Sequence, residues 1–281
     1  MTTEPRTQHE YGVREIDAAR RVLVDLGQVL ASWFTDSIVI VGGWVPDLLL
    51  QTEEPHIGSI DVDLALDAEK LGDGRYAEIV KLLLDTTRYE KTDKPFRLRA
   101  KVDLGDEATP VVVDVDFLKA ATRLRKRKGA RILPDFRPLD ADGCAAAFLH
   151  PENVSMEGPM ISGAANRVHL RVASVADFLV MKAYALAGRD KPKDAYDICF
   201  CLDNAPGGIE ALARLWRERR ADPLVAAALA HLREKFETVD SYGPRQVAIF
   251  YEATTGEEQE RHSRRGYELV ARFLELIGEG A

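Results

Sequence analysis

Ile38-Val-Ile-Val-Gly-Gly-Trp-Val-Pro-Asp47, followed by His56-Ile-Gly-Ser-Ile-Asp-Val-Asp-Leu-Ala-Leu-Asp67, is the stretch on which the reading of the whole chain turns. A short β-branched run, Ser37 to Val41, has the composition of a buried strand. It ends in Gly42-Gly43, and a short helix, Trp44 to Gln51, tolerates Pro46 in its first turn. A second strand, Ser59 to Leu66, carries Asp61 and Asp63 at positions i and i+2. Strand alternation puts both carboxylates on one face, with Val62 and Leu64 on the other. Two carboxylates side by side repel at neutral pH, so such a pair suits a shared cation. A glycine turn opening a helix suits a phosphate, because backbone N–H groups can approach it closely. A tight turn makes the same demand of glycine, so the pattern gains its meaning from the aspartates downstream.

Working outward, a helix is expected over Val13 to Phe34, with Ile16, Ala19, Val22, Leu23, Leu26, Leu30 and Trp33 on one face. Another is expected over Gly72 to Asp85. Phe96 to Val102 alternates apolar and basic residues, which predicts a strand with one wet face. Thr109 to Leu118 is a further strand, and it again places two aspartates, Asp114 and Asp116, on a common face. Arg123 to Arg131 is the densest positive charge in the chain, a candidate for RNA phosphate or a solvated loop. Gly129 to Gly143 reads as irregular, with weaker strands near Val154 to Glu157 and Arg167 to Val172.

After Val172 only helices are expected: Ser174 to Ala187, Pro192 to Leu202, Ile209 to Arg220, Pro223 to Phe236, Pro244 to Ala253 and Glu257 to Ile277. The expectation is an α/β (α+β) fold: a mixed sheet flanked by helices in residues 1–172, then a helical C-terminal domain over 173–281 that completes the active site.

Composition bounds the function. The 281 residues are 46% hydrophobic and 30% charged, enough for a sizeable core. A formal net charge of −8 argues against broad coating of nucleic acid. The three cysteines have neither metal-ligand spacing nor a disulfide framework. With no apolar signal region and no membrane-length apolar run, a soluble cytoplasmic protein without a membrane partner is expected. Trp44 is read as core, and His56 as a loop histidine without a role.

Gly42-Gly43 followed by Gly58-Ser-Ile-Asp61-Val-Asp63-Leu64 resembles the signature of the polymerase-β-like nucleotidyltransferase superfamily. More narrowly, Val-Gly-Gly-Trp-Val-Pro-Asp with the later Asp-Val-Asp-Leu looks like the AbiEii-type abortive-infection nucleotidyltransferases, the toxin halves of type IV toxin–antitoxin systems. Lys182-Ala-Tyr-Ala-Leu-Ala-Gly-Arg189, then Lys193-Asp194-Ala-Tyr-Asp197, is similar to that family's second block, and the resemblance spans residues 36 to 205. It implies a nucleotide-phosphate turn at Gly42 and Gly43, where Gly43 stands at a position often held by serine. It also implies metal ligation by Asp61 and Asp63 and a third carboxylate at Asp114 or Asp116, with Asp116 preferred. Lys182 would reach a triphosphate, with Lys193 beside it and Asp194 near the site. Lys182 and Arg189, seven apart, share a helical face; the alternative is that they join Asp190, Lys193, Asp194 and Asp197 in a surface salt-bridge network.

The activity implied is transfer of a nucleoside monophosphate from an NTP to an acceptor hydroxyl, with two Mg²⁺ ions as cofactors. By the resemblance alone the acceptor is the tRNA 3′ end, and a cognate antitoxin is a partner. A small-molecule, aminoglycoside-type nucleotidyltransferase and a non-catalytic nucleotide-binding protein are the competing readings.

Overall fold

The computed structural model describes residues 5–121 and 136–278, so the Arg123–Arg131 stretch lies outside the described residues. The chain divides into two compact units. One holds residues 12–45 and 58–174 and contains the sheet; the other holds residues 1–11, 46–57 and 175–281 and is helical.

In the sheet unit, helix α1 (Val13–Val29) precedes β1 (Ile38–Val41), and β2 (Val62–Leu66) pairs antiparallel with β1. Helix α3 (Ala68–Asp85) follows the short α2 (Trp44–Leu49) in helix order. The remaining strands are β3 (Tyr89–Lys91), β4 (Arg97–Val102), β5 (Val111–Ala120), β6 (Leu139–Ala141), β7 (Glu152–Pro159) and β8 (Ala165–Val172). They form one mixed sheet in the order β3-β4-β5-β2-β1-β8-β7, with β6 pairing β5. β2–β5 and β1–β8 are parallel, and β4–β5 and β7–β8 antiparallel. The sheet is thus the mixed one expected.

Four residues of β1 are buried without exception, as a central strand covered on both faces requires. Helix α1 lies against the β8 side closely enough that a Cβ on Gly27 would meet Val168 Cγ2 at 2.7 Å, so only glycine fits that crossing. Its buried Asp25 is held by Arg88 and by the Tyr89 hydroxyl at 2.9 Å. Differences from the sequence expectation concern boundaries and short strands: α1 ends at Val29 rather than Phe34, and β2 begins at Val62 rather than Ser59. α3 begins at Ala68 rather than Gly72, because the Asp67 side chain caps it by accepting from the Glu69 and Lys70 amides. β3 and β6 were not anticipated, and β7–β8 form a hairpin longer than the two weak strands expected.

The helical unit comprises α4 (Val175–Gly188), α5 (Pro192–Asn204), α6 (Gly208–Glu218), α7 (Pro223–Lys235), α8 (Tyr242–Phe250) and α9 (Gly256–Ile277). α5 is its centre: it packs against α4, α6, α8 and α9 and is buried along almost its whole length. That burial includes charged residues, which the site below explains. Trp216 of α6 is fully buried, donates to the Ala176 carbonyl at 3.1 Å and meets Phe273 of α9 edge-on.

Candidate active site

Strand register assembles the first constellation. Val41 of β1 pairs with Asp63 of β2, Asp63 with Asp116 of β5, and Asp116 with Arg97 of β4. One row across four strands therefore carries Arg97, Asp116 and Asp63 on a common face. Two residues back, Asp114 pairs with Arg99.

Each carboxylate in this group is held differently. Trp44 is fully buried and its indole N–H donates to the Asp61 carbonyl at 2.7 Å, while Ser59 Oγ donates to Asp61 Oδ1 at 2.6 Å. Asp61 is thus fixed through both backbone and side chain. Gly42 has a φ of 71°, and a Cβ there would lie 2.1 Å from Asp63 Oδ2. The glycine requirement is set by both the left-handed backbone and the Asp63 carboxylate packed against it. Gly43 completes the turn into α2.

Arg97 grips Asp116 as a fork, Nε to Oδ1 at 2.5 Å and Nη2 to Oδ2 at 2.6 Å, and its Nη1 donates to Asp114 Oδ2 at 2.7 Å. Arg99 Nε donates to the other Asp114 oxygen at 2.8 Å. Burial raises the Asp116 pKa above the ordinary carboxylate range despite the fork, with Asp61 and Asp114 adding to the rise. The same aspartates push the Arg97 guanidinium pKa upward, Asp116 most of all.

Oxygen-only donors suit Mg²⁺, which is usually held by one or two carboxylates together with substrate phosphates, and Asp61 and Asp63 are donors of that kind. Among the described residues no group of three or more carboxylate, imidazole or thiolate side chains is arranged to hold an ion. Consistent with this, both Asp116 oxygens are engaged by Arg97.

The second constellation lies in the helical unit, on α4, α5 and the 46–57 segment. Lys182 Nζ is 2.7 Å from Asp194 Oδ1 and 2.7 Å from Asp197 Oδ2. The Asp197 Oδ2 contact is electrostatic, since that oxygen has no hydrogen bond of acceptable angle. Lys193 Nζ donates to Asp197 Oδ1 at 2.8 Å, one helical turn along α5. Arg189 forks onto Asp194 at 2.7 and 2.9 Å, and it is the one half-exposed member, with 50% of its side chain accessible. His56 is buried, stacked on Tyr196 and edge-on to Phe200, and its Nε2 is 2.9 Å from Asp197 Oδ1.

Burial opposes every charge here, and the partners decide the outcome. For Asp194 the burial cost is outweighed by Lys182 and Arg189, which hold its pKa down to about 2; for Asp197 the two lysines hold it well below the usual range. Lys182 gains from two carboxylates and rises despite burial. Lys193 falls, because burial and neighbouring Lys182 outweigh its one carboxylate. Burial brings His56 down to about 4, so its imidazole is neutral near pH 7 and donates from Nε2 to Asp197. The salt-bridge network anticipated as a surface alternative therefore exists but is buried. Asp190 stands apart from it, bound to Arg6 and Tyr242.

The sequence profile of the family described as Nucleotidyl transferase AbiEii toxin, Type IV TA system, matches residues 58–268. The chain belongs to this family. As an AbiEii nucleotidyltransferase it takes an NTP as donor, and family membership in a type IV system implies a cognate antitoxin. The match contains Asp61, Asp63, Asp114, Asp116, Lys182, Lys193 and Asp194, while Gly42 and Gly43 lie upstream of it. No curated protein shows significant sequence similarity to the chain. Among solved structures it is similar to an antigenic nucleotidyltransferase-like protein from Paracoccidioides brasiliensis, at 17% identity over 78% of this chain and 88% of that one, TM-score 0.43. It is also similar to MenT4, a nucleotidyltransferase toxin from Mycobacterium tuberculosis H37Rv, at 16% identity over 96% and 93% of the two chains, TM-score 0.44.

Sequence reasoning missed several contributors to these sites. Arg97 reads from sequence only as part of a wet basic face, and its partner depends on the β4–β5 register. His56 reads as roleless, although it is a member of the AbiEii chain's buried cluster.

Proposed function

We propose that this nucleotidyltransferase moves a nucleoside monophosphate from an NTP to a hydroxyl at the 3′ end of tRNA, with Mg²⁺ as cofactor. The single observation that carries the reading is the Asp61/Asp63 pair, pinned by Trp44, Ser59 and Gly42 and standing in register with Asp116. Asp61 and Asp63 hold the cation, and Asp116 is the third carboxylate. Asp114, bound to Arg99 and Arg97, serves the scaffold rather than the ion. When bound, Mg²⁺ neutralises charge on the triphosphate and on the departing pyrophosphate. In the transfer, the acceptor oxygen forms a bond to the α-phosphorus, the bond from that phosphorus to the β-phosphate bridge breaks, and the hydroxyl proton passes to solvent or a carboxylate.

The helical cluster contributes positive charge. Three cations, Lys182, Lys193 and Arg189, face two carboxylates, Asp194 and Asp197, so one positive charge remains among these groups with His56 neutral. Such a surplus suits a polyphosphate. Residues 1–172 would then form the catalytic domain, and 173–281 a helical domain that carries most of this cluster. Among the described residues no helix is long and apolar enough to cross a membrane.

Labelled NTPs with Mg²⁺ and either total tRNA or aminoglycosides test the reading. Label at the tRNA 3′ end, lost in Asp63→Asn, is the expected result. Label on the drug alone would replace the acceptor, and no transfer to any acceptor by wild type would remove catalysis from the reading.

A further inference from the structure

Arg97 is the cation already present in the carboxylate row. Its fork occupies both oxygens of Asp116, the register partner of Asp63, while its remaining nitrogen is bound to Asp114. The side chain is 19% accessible and lies over the Phe96 ring, so it is held rather than solvated. A divalent cation and a guanidinium cannot share both oxygens of one carboxylate at close range without strong repulsion.

We propose that Arg97 is a resident counter-ion that a divalent cation must displace from Asp116 on entering the site, making Arg97 a positioning residue that sets the threshold for metal loading. The inference rests on the assignment of Asp61, Asp63 and Asp116 as the cation site. Asp114 makes the exchange feasible. Its Oδ2 already accepts from Arg97 Nη1, so a guanidinium released from Asp116 keeps one partner and is not stranded as an unpaired charge in a partly buried setting. Arg99 holds the other Asp114 oxygen and keeps that carboxylate in place throughout. Arg97 is thus shared between two aspartates of unequal role, one that the metal needs and one that it does not.

Mn²⁺ titration of the full chain, followed by the electron-paramagnetic signal of the free ion, tests this without reference to turnover. Arg97→Gln should bind Mn²⁺ about tenfold more tightly than wild type, the size of one charge-assisted hydrogen-bonded pair removed from the competition. Arg97→Lys, which keeps the charge but cannot fork, should fall between the two. Arg99→Gln removes the same charge without touching Asp116 and should change affinity less than about twofold, as expected of a screened neighbour. Unchanged or weaker Mn²⁺ binding in Arg97→Gln would overturn the proposal, as would an equal gain in Arg99→Gln. Asp63→Asn separates the underlying reading: if it leaves Mn²⁺ affinity intact, the site assignment itself fails, whatever Arg97 does. Should Arg97→Gln not fold, the arginine Nε–H resonance of wild type, assigned by its loss in Arg97→Lys, reports the same displacement. It should move on saturation with Mg²⁺, and a resonance that stays fixed while the ion binds would sink the proposal.

Discussion

Two groups of aspartates sit among basic side chains in this molecule, one on the sheet and one in the helical unit, and burial separates their roles. On the sheet, Asp61, Asp63, Asp114 and Asp116 stand against Arg97 and Arg99, so carboxylates outnumber guanidiniums among the named groups. Several of these side chains are only partly covered. In the helical cluster Lys182, Arg189 and Lys193 outnumber Asp194 and Asp197, and those two carboxylates have no accessible side-chain surface. Carboxylates less deeply buried, such as Asp116 with 12% of its side chain accessible, can exchange one cation for another, whereas fully buried pairs are locked, because losing a partner strands a charge in a poorly solvated interior. The difference points to chemistry in the first group and to structural integrity, with a residual positive field, in the second.

Removing a carboxylate from each group breaks the comparison most directly. Asp63→Asn should lower nucleotidyl transfer by about 10³-fold, the scale of several kcal/mol of lost metal-assisted stabilisation, with little change in melting temperature. Asp197→Asn should do the reverse. It strands Lys193 beside a neutral amide, leaves Lys182 with Asp194 alone, and should cost about 3–5 kcal/mol of stability, read as a lowered urea midpoint. If Asp197→Asn left the urea midpoint unchanged, the locked character of the helical cluster would be wrong. If Asp63→Asn unfolded the protein, the sheet carboxylates would be structural after all.

The same contrast can be sharpened with pH. His56 is held to about 4 in the folded chain against an ordinary 6.5. Between those values the unfolded chain binds a proton that the folded chain does not, so stability falls as pH drops through this window. From pH 7 to pH 5 the loss should be about 2 kcal/mol, and His56→Asn should flatten that slope. Asp194 and Asp197, both held low, act in a separate window: their contribution is present above about 3.8 and disappears only in stronger acid. A urea series at pH 7, 6 and 5 on both proteins resolves the two. An unchanged slope in His56→Asn would show that another group titrates there.

How much of this was legible in the sequence follows from the distance over which each feature is determined. Asp61 and Asp63 were legible as a pair from their i, i+2 spacing, although β2 begins only at Val62 and Asp61 is held by Trp44 and Ser59 rather than by strand pairing. Lys193 and Asp197 are one turn apart on a helix begun by Pro192, and that too is local. Which of Asp114 and Asp116 falls opposite Asp63 was not, because it depends on how two strands far apart in the chain align. Arg97 is hidden for the same reason: nothing near it says that β4 will pair with β5 in the register that aims it at Asp116. The burial of His56 was not legible, because it comes from Tyr196, Asp197 and Phe200 on α5, which only the tertiary fold brings to it. α3 starts four residues before the expected Gly72 because the Asp67 side chain caps the Glu69 and Lys70 amides.

Gly42 answers to two demands that substitution can separate. From sequence, the glycine is assigned to a phosphate, through backbone amides that a side chain would obstruct. The structure adds a second demand, since a Cβ would meet the Asp63 carboxylate at 2.1 Å on a backbone already at a φ of 71°. Gly42→Ala must therefore shift Asp63 or the turn, and a displacement near 1 Å at a reacting centre is worth about 10²-fold in rate. The two causes give different signatures. If the carboxylate is what matters, Mn²⁺ affinity in the absence of nucleotide falls along with turnover, because the cation ligand itself has moved. If the phosphate turn alone matters, nucleotide-free Mn²⁺ binding stays as in wild type and the loss shows only in KM for the NTP. The close approach of Asp63 to Gly42 favours the first outcome. It would make the glycine a support for the metal ligand, tied to the sheet constellation through the Val41–Asp63 pair rather than only to the helix that follows.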